Sequence, residues 1–127
     1  MTSPAEVVEM IRSGDVIPDD AREHFVALYL NSQNKVVALH EVSVGTLSAS
    51  LVHPREVFGP ALRLLGIASV ILVHNHPSGD PTPSQEDIRL SRQLAEAARV
   101  LDLRLHDHLV MGNGSGSYTS MAQRGLL

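Results

Sequence analysis

The run from Ala68 to His76 is apolar on both faces until it reaches His74-Asn75-His76, and Pro77 stops it. A segment apolar on both faces reads as a central strand, covered on both sides of its sheet. A proline cannot donate to a strand ladder, so the strand ends at Pro77. Gly79 to Pro83 is a loop of Pro, Gly, Asp and Thr. Ser84 then caps a helix whose inner stripe is Ile88, Ser91, Leu94, Ala95, Ala98 and Leu101. A buried strand, a loop and an amphipathic helix in succession commit the chain to α/β layers. The polar groups gather where strand gives way to helix, which is where a rigid scaffold carries a site.

The flanking segments fit the same plan. Ser3-Pro4-Ala5-Glu6 is a helix start with a capping box, Val7, Met10 and Ile11 share its inner face, and Gly14 ends it. Ile17 to Asp20 is a connector. Phe25 to Leu30 and Val36 to His40 read as strands joined by a turn at Asn31 to Asn34, a hairpin. Gly45 breaks the pattern, and Thr46 to Val52 reads as a third strand. His53-Pro54-Arg55-Glu56 opens a helix with Val57, Phe58, Ala61, Leu62 and Leu65 inward and Gly66 at its end. Gly59-Pro60 inside it predicts a late start or a kink.

Leu103 to Met111 is a last strand. Alternation puts Leu103, Leu105, Asp107, Leu109 and Met111 on one face and His106 and His108 on the other. Tyr118 to Leu127 is a short terminal element whose type the pattern leaves open. The expectation is a three-layer α/β domain, residues 1–127, around a mixed sheet. Its strand–helix–strand unit from Thr46 to His76 should be a right-handed crossover if its strands are parallel neighbours.

Composition narrows the chemistry. There is no cysteine, so disulfides and thiolate metal sites are excluded. A net charge of −4 and a pI near 5.9 count against DNA binding by this domain. No apolar run approaches the roughly 20 residues that cross a membrane. The N-terminus lacks the layout of a signal peptide. A cytoplasmic home is the expectation.

Alternation turns His74 and His76 to one side, with Cα atoms about 7 Å apart. Two imidazoles can then converge on one ion. Asp87, in the first turn of the next helix, can be folded back over the strand end by the loop. Two histidines and a carboxylate leave one position open, the arrangement of a catalytic zinc. Metal-activated water is the chemistry that follows. Taken singly these residues have plainer readings. A lone His-x-His is a weak signal, Asp87 suits a helix N-terminus, and Ser84 suits a cap. Their joint placement at one junction is what carries the metal reading. Asp80 and Glu86 are read as solvated charges.

Rival constellations fail on particular residues. A zinc nucleobase deaminase needs a Cys-x-x-Cys. The helical His-Glu-x-x-His is absent. Pro77-Ser78 stand where a metallo-β-lactamase-type site would continue with x-Asp-His. Ser43, Ser48 and Ser50 have no base at useful spacing for a serine nucleophile. A phosphoester hydrolase would want a phosphate-cradling loop or a paired-metal ligand set, and neither is present.

His74-x-His76-Pro77 followed by Pro83-Ser84-x-x-Asp87 resembles the JAMM (MPN) metalloprotease signature, in the version found in the RadC family. Glu23-His24-Phe25, Leu28 to Asn31, Gly45-Thr46, Pro54 to Val57 and Asp107-His108 also look like RadC landmarks. The resemblance implies an MPN fold related to the cytidine-deaminase-like architecture. It implies one zinc ion per chain on His74, His76 and Asp87, and a peptide or isopeptide substrate. It also implies a glutamate acting as general base and Ser84 steadying the oxyanion. Glu23, just before a strand of JAMM-like pattern, is the first choice for that glutamate and Glu41 the second. Glu56 is read as serving a helix start. RadC proteins usually carry a helix-hairpin-helix region ahead of this domain, so the chain is expected to be the C-terminal domain alone. The alternative is a non-catalytic, repair-associated binding module with a structural or vestigial metal. Asp107 has two readings as well: support for a metal-ligating histidine, or ordinary packing of the last strand.

Overall fold

A computed structural model describes residues 3–17, 22–45 and 52–127. The elements are α1 (Pro4–Ser13), β1 (Glu23–Asn31), β2 (Val36–Gly45), α2 (Pro54–Arg63), β3 (Ile67–His76), α3 (Gln85–Val100), β4 (Arg104–Gly112) and β5 (Tyr118–Ser120). The strands form one sheet in the order β2-β1-β3-β4-β5. Among the described strands only β3 and β4 are parallel, joined through α3; the other neighbours are antiparallel. The sheet is therefore mixed, as the sequence leads one to expect. The expected strand from Thr46 to Val52 lies outside the described residues, apart from Val52, which is buried but not in a strand.

Two cores make the layers. Val57, Phe58 and Ala61 of α2 and Leu90, Leu94 and Ala98 of α3 pack on Phe25, Ala27, Tyr29, Val70 and Leu72. Val7, Val8 and Ile11 of α1 pack on the opposite face, against Val26, Leu28, Ile71, Val73 and Leu109. The two sets interleave along β1 and β3, as alternation requires of a strand covered on both sides. Leu72, fully buried, would cost about 2–5 kcal/mol if cut to alanine.

Local chemistry sets the helix ends. Ser3 and Glu6 form the expected capping box, and Gly14 is the C-cap of α1. Val8 rather than Met10 joins the inner face of α1; Met10 is 37% exposed. Helix α2 starts at Pro54, not late, and runs through Pro60 at the loss of one main-chain bond to Glu56. It stops at Arg63, with Leu64 already extended. Leu65 is thereby left outside the helix and Leu62 off its inner face, so both are exposed where burial was expected. In α3, Leu90 is buried, whereas Leu101 lies past the helix end and is 40% exposed.

The largest departure is in β4. Its pairing with β3 slips between Val70↔Leu105 and Ile71↔Asp107, which leaves His106 as an extra residue, a bulge. Before the slip, Leu105 faces the layer of α2 and α3; after it, Leu109 and Met111 face α1. His106 and His108 therefore do not share a side. His106, Asp107 and Leu109 line a cavity of about 230 Å³ beside Pro4 and Val7 of α1, while His108 turns inward among Phe25 and His74. Strict alternation cannot reveal a bulge, because an inserted residue only shifts its phase. No helix among the described residues is long and apolar enough to cross a membrane.

Candidate metal centre

The site lies at the C-terminal ends of the parallel pair β3 and β4, where the chain leaves the sheet for α3. That crevice is where open α/β sheets bind ligands. His74 and His76 project from β3 toward α3, and Asp87 comes back to meet them from the first turn of α3. The helix start is held by a second capping box. Ser84 Oγ accepts from Asp87 N at 3.0 Å, and Asp87 Oδ2 accepts from Ser84 N at 2.9 Å. One cap thus orients the carboxylate that the site uses. Asp87 is 3% exposed.

Four side chains converge. His74 Nε2 lies 3.2 Å from His76 Nε2 and 3.4 Å from Asp87 Oδ1. His76 Nε2 lies 3.1 Å from Asp87 Oδ2, and Glu23 Oε1 is 3.7 Å from His74 Nε2. One ligand atom from each of Glu23, His74, His76 and Asp87 falls within 4.8 Å of the others, a group that could hold a metal ion. Glu23 is the first residue of β1 rather than a residue ahead of it. Glu41 lies within β2, and its carboxylate contacts His24 Nδ1 at 3.1 Å, outside the group of four. Glu56 is exposed and close to Arg55.

The hydrogen bonds behind the histidines test whether these residues fit a cation. His76 Nδ1 meets the Asp80 carbonyl at 2.9 Å. A carbonyl only accepts, so His76 donates from Nδ1, and the neutral ring keeps a lone pair on Nε2. His74 Nδ1 lies 2.7 Å from His108 Nε2, and His108 Nδ1 meets Ser91 Oγ. Ser91 gives its hydroxyl hydrogen to Met121 Sδ at 3.1 Å. Ser91 must then accept from His108 Nδ1, and His108 Nε2 must accept from His74 Nδ1. His74 Nε2 is left with its lone pair too. Two imidazole lone pairs and two carboxylates therefore face one another at close range. A cation relieves that crowding of acceptors, and a borderline-soft divalent ion suits nitrogen and oxygen donors together.

Protons can take the cation's place, each Nε2 then donating to Asp87. Burial pushes the Asp87 carboxyl up, but hydrogen bonds from both histidines, the charge of His74 and the Ser84 amide outweigh it and hold Asp87 far below the usual carboxylate range. The Asp87 hydrogen bond, more than the opposing burial, raises His76 above its ordinary value. His108 is fully buried, and burial followed by its neighbour His74 drives it well below its ordinary value, so it stands as a neutral ring.

Asp107 is buried but does not support a metal ligand. Its carboxylate accepts from His108 N at 2.7 Å, Ser120 Oγ at 2.6 Å and Ala122 N at 3.0 Å, and so ties down β5 and the turn after it. His108 takes the place behind His74 instead. Ser91 and Met121 were not foreseen as site residues. Ser91 carried a signal, a small polar residue on the inner stripe of α3 one turn beyond Asp87. Met121 carried none. Asp80 has an exposed side chain, with Thr82 as its partner, and serves the site only through its carbonyl. His40 and His53 are exposed.

Comparison with known proteins agrees with this geometry. A family model described as RadC-like JAB domain matches residues 1–126. A UPF0758 protein of Desulforamulus reducens is 51% identical over 106 residues, 84% of this chain and 45% of that protein. UPF0758 proteins of Rubrobacter xylanophilus and Pelobacter propionicus are 46% and 45% identical over 100% and 99% of this chain, and 53% of each relative. The chain spans about half the length of the curated relatives it matches.

Proposed function

The chain belongs to the RadC-like JAB domain family, and on that premise we propose that it is a zinc-dependent hydrolase of peptide or isopeptide bonds. The observation that carries the reading is the convergence of His74, His76, Asp87 and Glu23 with both Nε2 lone pairs aimed inward. The JAMM-like signature points to the acyl substrate, and the donor set points to the metal.

In this reading His74, His76 and Asp87 hold the ion. Zinc, when bound, supplies a Lewis acid and an acidified water of pKa about 7. Glu23 faces the same space and takes the proton from the attacking water on its carboxylate. Ser84 Oγ accepts from Asp87 N within the cap, so its own hydrogen remains for the substrate carbonyl oxygen as negative charge builds there. His108 and the Asp80 carbonyl keep the two imidazoles turned the right way. The partner is a peptide or protein substrate.

Purified protein should carry about one zinc per chain. His74→Ala and Asp87→Asn should each lose it, and Glu23→Gln should keep it while losing hydrolysis of a peptide and isopeptide library. Full metal retention by both His74→Ala and Asp87→Asn would overturn the assignment.

A further inference from the structure

We infer that Asn75, between the two histidine ligands, is the positioning residue for Glu23, because its side chain bonds the main chain on both sides of that glutamate. The inference rests on the reading of Glu23 as the glutamate of the site.

Asn75 is fully buried. Alternation along β3 points it away from the face that carries His74 and His76, so it is not aimed at an ion. Its Oδ1 accepts from His24 N at 2.6 Å, and its Nδ2 donates to Arg22 O at 3.0 Å and to Asn113 Oδ1 at 3.0 Å. One carboxamide therefore grips the peptide groups before and after Glu23. The β1–β3 ladder reaches only Phe25↔His74. Past that pair the Asn75 side chain does what main-chain rungs do elsewhere. On its other side β1 meets β2 at Glu23↔Gly45, but a register shift between Phe25 and Val26 interrupts that ladder. The edge of Glu23 nearest the ligands is thus set by Asn75.

The chemistry of the residue is specific. A carboxamide offers an acceptor and two donors in one plane. Aspartate would turn a carboxylate toward the Arg22 carbonyl and Asn113 Oδ1. Serine has one donor and cannot serve both. With Asn75 intact, Glu23 shares the face of Phe25, whose ring stacks on His74 at 5.1 Å, and its carboxylate reaches the cluster.

Cobalt(II) is the probe, since its visible spectrum reports the ligand field and needs no substrate. Glu23→Gln should bind as much cobalt as the parent but with an altered spectrum. Asn75→Ala should bind as much again and show the Glu23→Gln spectrum, and the double variant should add nothing. A merely structural Asn75 would lower the melting temperature and leave the spectrum as in the parent; that result overturns the inference alone. Loss of cobalt by Asn75→Ala also overturns it, since the residue would then be holding the ligands. An unaltered spectrum in Glu23→Gln overturns this inference, whereas undiminished hydrolysis by Glu23→Gln overturns the reading of Glu23. If Asn75→Ala does not fold, hydrogen exchange on the unaltered chain decides. The His24 amide should be protected like its neighbours in β1, and exchange as fast as in the exposed turn after β4 overturns the inference.

Discussion

His74 and His108 meet nitrogen to nitrogen at 2.7 Å, with both rings fully buried. The contact fixes which nitrogen of His74 faces the cluster, because the far side of His108 is already committed to Ser91. Replacing a partner behind a metal ligand typically weakens metal binding about 10–100-fold. His108→Ala should therefore bind zinc about 10–100-fold more weakly in a competition titration with a chelator. Unchanged affinity in a folded variant would remove His108 from the site.

Two roles are proposed for Ser84, and stability and turnover report on them separately. Ser84→Ala removes the cap of α3 and should cost about 1 kcal/mol in thermal unfolding. It should also lower kcat about 100–1,000-fold if the hydroxyl meets the developing oxyanion. Ser84→Thr keeps a hydroxyl and should recover most of both. A stability loss with kcat intact would leave Ser84 a cap and nothing more.

Glu23 and Glu41 give opposite expectations. Glu23→Gln should lower kcat about 100–10,000-fold with metal content unchanged. Glu41, whose carboxylate meets His24 on the hairpin, should tolerate Gln without loss of turnover. The reverse pattern would transfer the role of base to Glu41.

Tyr29 links the sheet to α2 through its hydroxyl, which donates to Val57 O at 2.7 Å. Burial raises its pKa from 10.0 to about 12. A raised value means that the contribution to stability is complete below the unfolded value. It is lost as pH rises through the folded one, so the loss falls between about pH 10 and pH 12. Ultraviolet titration of the phenolate should show one of the two tyrosines ionising late, and Tyr29→Phe should abolish that step. Late ionisation that survives Tyr29→Phe would belong to Tyr118.

Both capping boxes were legible because a cap is local: Ser3 with Glu6 and Ser84 with Asp87 need only the right residues at the right spacing. His74, His76 and Asp87 were legible for a related reason, since a strand's alternation and the next helix start place all three. Glu23 was ambiguous because its placement depends on a distant side chain, Asn75, gripping the start of β1. Leu62 and Leu65 were misassigned because the end of α2 is set by Leu64 turning extended, with no breaker at that position. The pairing of His74 with His108 was hidden by the bulge at His106.

That bulge also settles a matter of charge. Had β4 kept strict alternation, Asp107 would share the face of Leu105 and stand toward His74. Behind a divalent ion held by Asp87 and faced by Glu23, it would be a third carboxylate, and the centre would carry a surplus negative charge in a buried place. The extra residue at His106 turns Asp107 out to Ser120 and Ala122 and brings in a neutral imidazole. With a divalent ion at the cluster, the two carboxylates would balance it, and the centre would be electrically neutral before any substrate arrives.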